Sequence, residues 1–330
     1  MKPSVGGVLR LATIALVLAV AWYLRGGFGD VTGTVAVAGW PGVAAVAAVH
    51  AVSMALCGLA WGLLQPDQRL GLFVLGRWVR EGVSEIAAFL PLSGEVAGAR
   101  LLTAGGIRPA VAGALTVVDV SCEVVAQFIF SLVGIGLWLW RHPDTEVLRW
   151  GLIGLAASIP VLAVFFVVQH AKVMGFLETL PSRLMPNLWK TPDQKAGVQA
   201  TVSRIYRDRR RVAAAVGLHL LAWLVSTGEA FVALALLGHP LALVDVLALE
   251  SIIFAIRSAA FVVPGALGVQ EGGYVLVGAA LGLSPEVALA VSLLKRSREL
   301  LVGVPALLAW HLAEGKGGSQ KTRIETDTNG

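Results

Sequence analysis

Long apolar stretches separated by short polar ones dominate the pattern along this chain. Each stretch approaches the roughly 20 mostly apolar residues that a helix needs to cross a bilayer, which predicts an all-α polytopic membrane protein. The first stretch also has the form of a secretory signal, but Trp22 and Tyr23 at its far end suit an uncleaved span. The apolar segments lie near residues 8–24, 43–64, 109–140, 151–168, 212–237, 243–263 and 285–313.

Two segments, 80–106 and 243–283, interrupt this pattern with proline, glycine and charged residues. A chain can leave helical geometry at membrane depth only where its backbone faces protein or water, and proline breaks a helix. We therefore expect about six full transmembrane helices and two re-entrant broken-helix hairpins. The predicted helix breaks fall at Pro91, Pro264, Gly265 and Gly268.

The two interrupted segments also resemble each other. The run AAFLP in the first is followed by a glutamate and a G-x-x-P corner that ends at Pro109, and AAFVVP in the second by a glutamate and a G-x-x-P corner that ends at Pro285. Proline suits the first turn of a new helix. Secondary transporters are often built from inverted repeats whose broken helices meet near the midplane. We expect such an inverted repeat, with repeat 1 at about 77–140 and repeat 2 at about 243–313.

Composition and charge add the orientation in the membrane. The chain is 56% hydrophobic and 14% charged, whereas soluble proteins carry roughly 25% charged residues. The basic loop 169–211 holds nine Lys or Arg, as the positive-inside rule predicts for a cytoplasmic loop, so the net charge of +5 does not indicate a nucleic-acid partner. We expect a single membrane domain at 1–313, a polar cytoplasmic tail at 314–330, and both termini in the cytoplasm.

Charged residues fall at membrane depth in the helices that follow the two corners. Asp119 and Glu123 lie one turn apart in the first helix. Lys295 and Glu299 occupy the matching positions in the second, with Arg298 beside them. A charge at the bilayer centre costs at least about 2.5–3.5 kcal/mol, so such groups face a cavity or pair with each other. Either the acids of the first helix pair with the cations of the second as a structural lock, or these groups bind a lipid headgroup in a polar passage.

Further candidates lie near the two breaks. Arg257 precedes Pro264 by two turns, and its planar guanidinium suits a phosphate. Glu95 and Glu271 lie near the start of the returning half-helices, where the helix dipole favours a carboxylate; helix capping and ligand or proton handling both stay open for them. The predicted substrate-binding residues are Arg257, Glu271, Lys295, Arg298, Glu299, Asp119, Glu123 and Glu95.

The sequence contains no motif for nucleotide binding, nucleophilic hydrolysis or metal coordination. We therefore expect no cofactor, no metal site and no catalytic residue. Cys57 and Cys122 lie inside predicted spans, which favours apolar packing over a disulfide. An ATP-driven pump is disfavoured, whereas a membrane-embedded lipid transferase that uses a few Asp, Glu, Arg and His residues stays open.

Three runs are similar to the flippase-like transmembrane domain of lysylphosphatidylglycerol synthases: FLPLSGEVAGARLL (89–102), PGALGVQEGG (264–273) and GLSPEVALAVSLLKRSRELLVGVPALLAW (282–310). The chain resembles most closely the stand-alone relatives associated with hopanoid biosynthesis, over nearly its whole length. The resemblance implies a multi-pass protein of the bacterial inner membrane that moves lipid between leaflets, with a hopanoid or phospholipid as cargo. It does not imply aminoacyl-lipid synthesis, because the sequence does not include the soluble aminoacyl-transferring domain.

The sequence thus favours a lipid translocator. The alternatives are a membrane-embedded lipid headgroup transferase and a non-catalytic scaffold that docks hopanoid biosynthesis enzymes on the basic loop 169–211. Charge at membrane depth favours the first two functions, because a docking protein gains nothing from it. The absence of a donor-binding motif favours translocation over transfer.

Overall fold

The fold is helical throughout the part of the chain that the computed structural model describes. That part comprises residues 29–86, 92–142, 192–259, 266 and 268–327, with isolated positions between 149 and 159. The predicted all-α class is confirmed for these residues. In chain order the helices are α1 (Gly29–Leu63), α2 (Leu70–Ile86), α3 (Ser93–Ala104), α4 (Pro109–Arg141), α5 (Pro192–Arg207), α6 (Arg209–Leu236), α7 (Leu243–Ala259), α8 (Val269–Ala280) and α9 (Pro285–Asp327).

Three of the described helices are long and apolar enough to cross a membrane. They are the main part of α1, the whole of α4 and the whole of α6, with mean hydropathies of 2.1, 1.9 and 1.5. They agree with three of the predicted spans. Their bounds are Ala36–Leu63, Pro109–Arg141 and Arg209–Leu236.

The other predicted spans differ in how far the structure describes them. The segment 8–24 lies outside the described residues, and so does most of 151–168. Helix α7 has 17 residues, and α9 carries the charged run that starts at Lys295. The total of six full spans therefore stays a prediction.

Helix α1 begins earlier than the apolar pattern suggests. Residues 29–42 belong to this helix, although the sequence places them largely outside an apolar segment. Gly39 has a positive φ of 55° inside it, which kinks the helix just before Pro41. Glycine tolerates this left-handed conformation, and a proline that follows a break loses no helical hydrogen bond.

Helices α3 and α8 match each other in length and in how they begin. Each has 12 residues. The residue before each helix has a positive φ, 63° at Leu92 and 78° at Gly268. Leucine rarely adopts this conformation, whereas glycine does so at little cost. The two helices are therefore preceded by a residue with a positive φ in both cases, although the residue types differ. The other predicted breaks, at Pro91, Pro264 and Gly265, lie outside the described residues.

The corners that follow α3 and α8 match as well. Gly106 and Gly282 have positive φ angles of 98° and 79°, and the next helix starts three residues later in both, at Pro109 and Pro285. Equivalent backbone hydrogen bonds close the two corners: Ile107 N donates to Leu102 O at 3.1 Å, and Leu283 N donates to Gly278 O at 2.9 Å.

At two glycines, helices that carry charged residues pack in direct contact. A Cβ atom at Gly94 would lie 2.0 Å from Ser84 Oγ, so α3 packs directly against α2. A Cβ atom at Gly134 would lie 2.0 Å from Ser251 Cβ, so α4 and α7 touch in the same way. Helices α1 and α6 pack side by side. The polar faces of α1, α2, α4, α6 and α9 consequently meet in the interior.

Candidate functional site

Two arginines of α2 bind the two acids of α4. The guanidinium of Arg77 donates to both oxygens of Glu123 at 2.7 Å. Arg80 donates to Asp119 at 2.6 Å and to Glu123 at 2.9 Å. The sequence left open a pairing of Asp119 and Glu123 with the cations of α9 as a structural lock. In the described residues these acids pair with α2 instead, inside the same half of the chain.

This first cluster extends to α3 and α6. His219 Nε2 lies 3.0 Å from Asp119, and both side chains are fully buried. Glu95 lies 3.6 Å from Arg80 and keeps 26% of its side chain exposed. Glu95 is therefore the most accessible acid of the cluster. Asp119 is held between Arg80 and His219, at 2.6 and 3.0 Å.

A second cluster lies between α1, α2, α6 and α9. Both ring nitrogens of His50 lie against carboxylates, Glu229 at 2.9 Å and Glu81 at 2.8 Å, and Arg298 Nη1 lies 2.8 Å from each ring nitrogen. The guanidinium of Arg298 lies 3.5 Å from Glu229, 3.5 Å from Glu85 and 3.9 Å from Glu81. Helices far apart in sequence are thus joined by one group of charges.

Lys295 takes part in a third cluster, between α7, α8 and α9. Its ammonium donates to Glu250 at 2.5 Å, and the exposed fractions of the two side chains are 5% and 0%. The Tyr274 hydroxyl donates to the other oxygen of Glu250. The ammonium also lies 5.5 Å from the centre of the Phe254 ring. Lys295 is therefore neutralised where the sequence predicted a headgroup contact.

Glu271 links the start of α8 to α9. Its carboxylate accepts the backbone N–H of Gly268 at 2.8 Å, closing the helix N-terminus. It also accepts a hydrogen bond from Arg296 at 3.1 Å, and Arg296 in turn lies 3.2 Å from Glu299. Capping and ion pairing thus coexist at Glu271.

Arg257 differs from these cations. It lies in the last turn of α7, next to the residues around the predicted break, and is half-buried. Its guanidinium carbon lies 5.5 Å from the centre of the Phe254 ring. Within the described residues Arg257 forms no ion pair, so no described carboxylate neutralises it.

The structure thus brings most of the predicted residues into one connected set of ion pairs. The set runs from Glu271 through Arg296, Glu299 and Arg298 to His50 and Glu81, and from there through Arg77 to the first cluster. Among the described residues, Lys295 and Arg257 form no ion pair with a member of this set. Its carboxylates are Glu81, Glu85, Glu95, Asp119, Glu123, Glu229, Glu271 and Glu299.

Several members of the set were not among the predicted site residues. Arg77 and Arg80 are two of them, and they are only 9% and 6% exposed. The signal was their spacing: Arg80, Glu81 and Glu85 lie three, four and eight residues after Arg77, so all four share one helix face. His50 stood alone in an apolar helix, and its partners come from distant parts of the sequence.

Two groups of side chains have the composition of metal ligands, Cys57–Glu123–His219 and His50–Glu81–Glu85. In both, an arginine already lies against the carboxylates, Arg77 in the first and Arg298 in the second. A metal cation would be repelled by these guanidinium groups. We therefore assign neither group as a metal site.

Comparison with known proteins gives one match. No curated protein and no solved structure was found to match the chain. A family model described as the lysylphosphatidylglycerol synthase TM region matches residues 7–306. This match agrees with the long apolar helices and with the charged residues buried among them. The chain is thus a multi-pass membrane protein with a membrane lipid-related function, and it belongs to the lysylphosphatidylglycerol synthase transmembrane region family.

Proposed function

We propose that this protein is a lipid translocator of the bacterial inner membrane that moves a hopanoid or another polar lipid between leaflets. The headgroup enters a polar passage between two inverted repeats, while the lipid tails stay in the bilayer. Both termini face the cytoplasm. The family match supports the link with lipids, and the buried charges support a polar passage.

The geometry shared by α3 and α8 supports the repeat. Equal lengths, positive φ angles before each helix and matching corners are expected when two copies of one unit fold alike. Broken helices near the midplane provide binding groups in many secondary transporters. The half-helices α3 and α8 fit this role, because both are too short to cross a bilayer of about 30 Å.

The single observation that carries the proposal is that Arg257, in the last turn of α7, forms no ion pair within the part of the chain that the structure describes. A half-buried guanidinium without a carboxylate is costly in an apolar environment, and its cost is offset when an anion binds. Its fork of donors matches a phosphate. The guanidinium lies over the ring of Phe254, with its carbon 5.5 Å from the ring centre.

The two alternatives are less well supported. A scaffold for hopanoid biosynthesis enzymes would need an exposed docking surface, but no such surface requires charges as buried as Lys295 and Arg298. A headgroup transferase would need a reactive group near the lipid. The described carboxylates near α8 and α9 are instead engaged by cations or by a helix N-terminus.

The test is exchange of labelled lipids between leaflets in liposomes that contain the purified full-length chain. Phospholipid and hopanoid are compared, with Arg257→Ala, Arg257→Lys and the exposed control Arg209→Ala. A hydrogen bond to a charged group contributes about 1.5–3 kcal/mol, so Arg257→Ala should slow exchange about 10- to 100-fold. Arg257→Lys should recover part of the rate, and Arg209→Ala should match the wild type.

Other results would point elsewhere. Unchanged exchange in Arg257→Ala would remove the assigned headgroup contact. Failure of the folded protein to exchange any lipid would overturn translocation. Recovery of a lipid with an altered headgroup would favour the transferase.

A further inference from the structure

The acids around Arg298 outnumber the positive charges available to them. Four carboxylates lie within 4.0 Å of this one guanidinium: those of Glu81, Glu85, Glu229 and Glu299. His50 supplies one more positive charge at most, between Glu81 and Glu229. The cluster is therefore short of positive charge in its interior.

Arginines at the edge of the cluster do not make up the difference. Arg77 reaches Glu81 at 3.2 Å but binds Glu123 with two bonds of 2.7 Å. Arg296 reaches Glu299 at 3.2 Å but also binds Glu271 at 3.1 Å. Each of these cations is shared with an acid outside the cluster.

Glu85 is the least compensated member. Its one described ion-pair partner is Arg298, at 3.5 Å, and this partner is shared with three other acids. Its Oε2 atom is buried without a hydrogen bond. Glu229, which is 2% exposed, also has an unbonded Oε2 atom, so the cluster holds a second unsatisfied oxygen beside the same arginine.

The Glu85 side chain is 18% exposed, but its one described ion pair is shared and its Oε2 atom is buried. A carboxylate oxygen that is buried with poorly compensated charge favours uptake of a proton, because neutralisation is less costly than burying the charge. The charged groups around Glu85 come from several helices. Side-chain atoms of His50 in α1 and of Glu81 in α2 lie within 4.8 Å of its carboxylate, and Arg298 of α9 lies 3.5 Å away. Glu229 of α6 and Glu299 of α9 contact the same guanidinium. Three of these five groups are acids, and they disfavour a further negative charge.

We propose that Glu85 is a proton-binding site and that the proton it holds is the coupling ion of the protein. The first half of this proposal stands on the charge cluster alone. The second half rests on the proposed function. Loss of the proton adds a negative charge beside Arg298, which strengthens the contact between α2 and α9. Protonation weakens that contact, so the charge on Glu85 controls how tightly α2 of the first repeat and α9 of the second repeat are held together.

Infrared spectroscopy of the reconstituted full-length chain tests the proton site without any transport. A protonated carboxylic acid gives a carbonyl band that an ionised carboxylate lacks. We expect this band at neutral pH and expect it to fade as the pH rises. Glu85→Gln should abolish it. Glu286→Gln, at an acid outside the cluster, should leave it in place.

The result that overturns the proton site is absence of the band at neutral pH, or a band that is lost in Glu229→Gln and kept in Glu85→Gln. The wild-type titration refutes the proton site if it shows no band at neutral pH, even if a variant fails to fold. Coupling is tested with a pH-sensitive dye inside the liposomes during lipid exchange. Proton movement that accompanies exchange and disappears in Glu85→Gln supports it.

The two proposals can fail separately. Lipid exchange that is independent of pH and moves no protons would overturn coupling and leave translocation intact. A band assigned to Glu85 in a protein that exchanges no lipid would overturn translocation and leave the proton site intact.

Discussion

The buried pair between Lys295 and Glu250 gives the sharpest test of how charge is neutralised in this protein. The two groups meet at 2.5 Å, and neither side chain is more than 5% exposed. We consider Lys295→Met, Glu250→Gln and the double variant. Methionine has nearly the length of lysine and suits the aromatic neighbours. Glutamine keeps an acceptor for the hydroxyl of Tyr274.

Each single substitution leaves one charge buried without its partner. Breaking a buried pair in this way costs about 3–5 kcal/mol, whereas replacing both partners is often neutral. The single variants should therefore lower the free energy of unfolding by about 3–5 kcal/mol. The double variant should recover most of this loss, which appears as a coupling energy in the double-mutant cycle.

The measurement is denaturant-induced unfolding of the purified protein in detergent, followed by circular dichroism. Arg209→Met is the matched control, because it removes one exposed positive charge, and it should change stability little. If the double variant were destabilised by the sum of the two single effects, Lys295 and Glu250 would not be coupled. The assigned ion pair would then be wrong.

Two predictions concern glycines, both read out by the same unfolding measurement. Gly134→Ala should destabilise the protein, because its Cβ would lie 2.0 Å from Ser251 Cβ. Gly136→Ala on the same helix meets nothing within 4 Å and should leave stability unchanged. Equal effects of the two substitutions would exclude the close crossing of α4 and α7. Gly106→Ala and Gly282→Ala should each cost about 1–2 kcal/mol from left-handed strain, and a large effect at one corner only would contradict their shared geometry.

The sequence predicted the helices more fully than the site. Apolar length alone located α4 and α6, since crossing a bilayer imposes a narrow requirement on length and composition. The site depends on partners that no local pattern reveals. Glu229 and His50 are isolated polar residues in apolar helices, and only packing of α1 against α6 brings them to 2.9 Å.

The match between the two predicted repeats in sequence did not reveal how each of them neutralises its buried charge. Asp119 and Lys295 hold equivalent positions after their corners, yet one is an acid and the other a base. Each nevertheless binds the first helix of its own segment, Asp119 through Arg80 and Lys295 through Glu250. The position is shared and the sign of the charge is reversed, so a comparison of residue types alone would reject the correspondence.

This arrangement indicates where the two halves can separate. Within each half the ion pairs are short, 2.6 Å for Arg80–Asp119 and 2.5 Å for Lys295–Glu250. Between α2 and α9 the distances from Arg298 are 3.5 and 3.9 Å, and longer ion pairs are weaker. Small residues also line this contact, because a Cβ at Gly82 would lie 2.5 Å from Ala306 Cβ. A movement of α2 against α9 would therefore break the Arg298 contacts together with the 3.0 Å hydrogen bond from Trp78 Nε1 to Val302 O, and would leave the short pairs Arg80–Asp119 and Lys295–Glu250 unchanged.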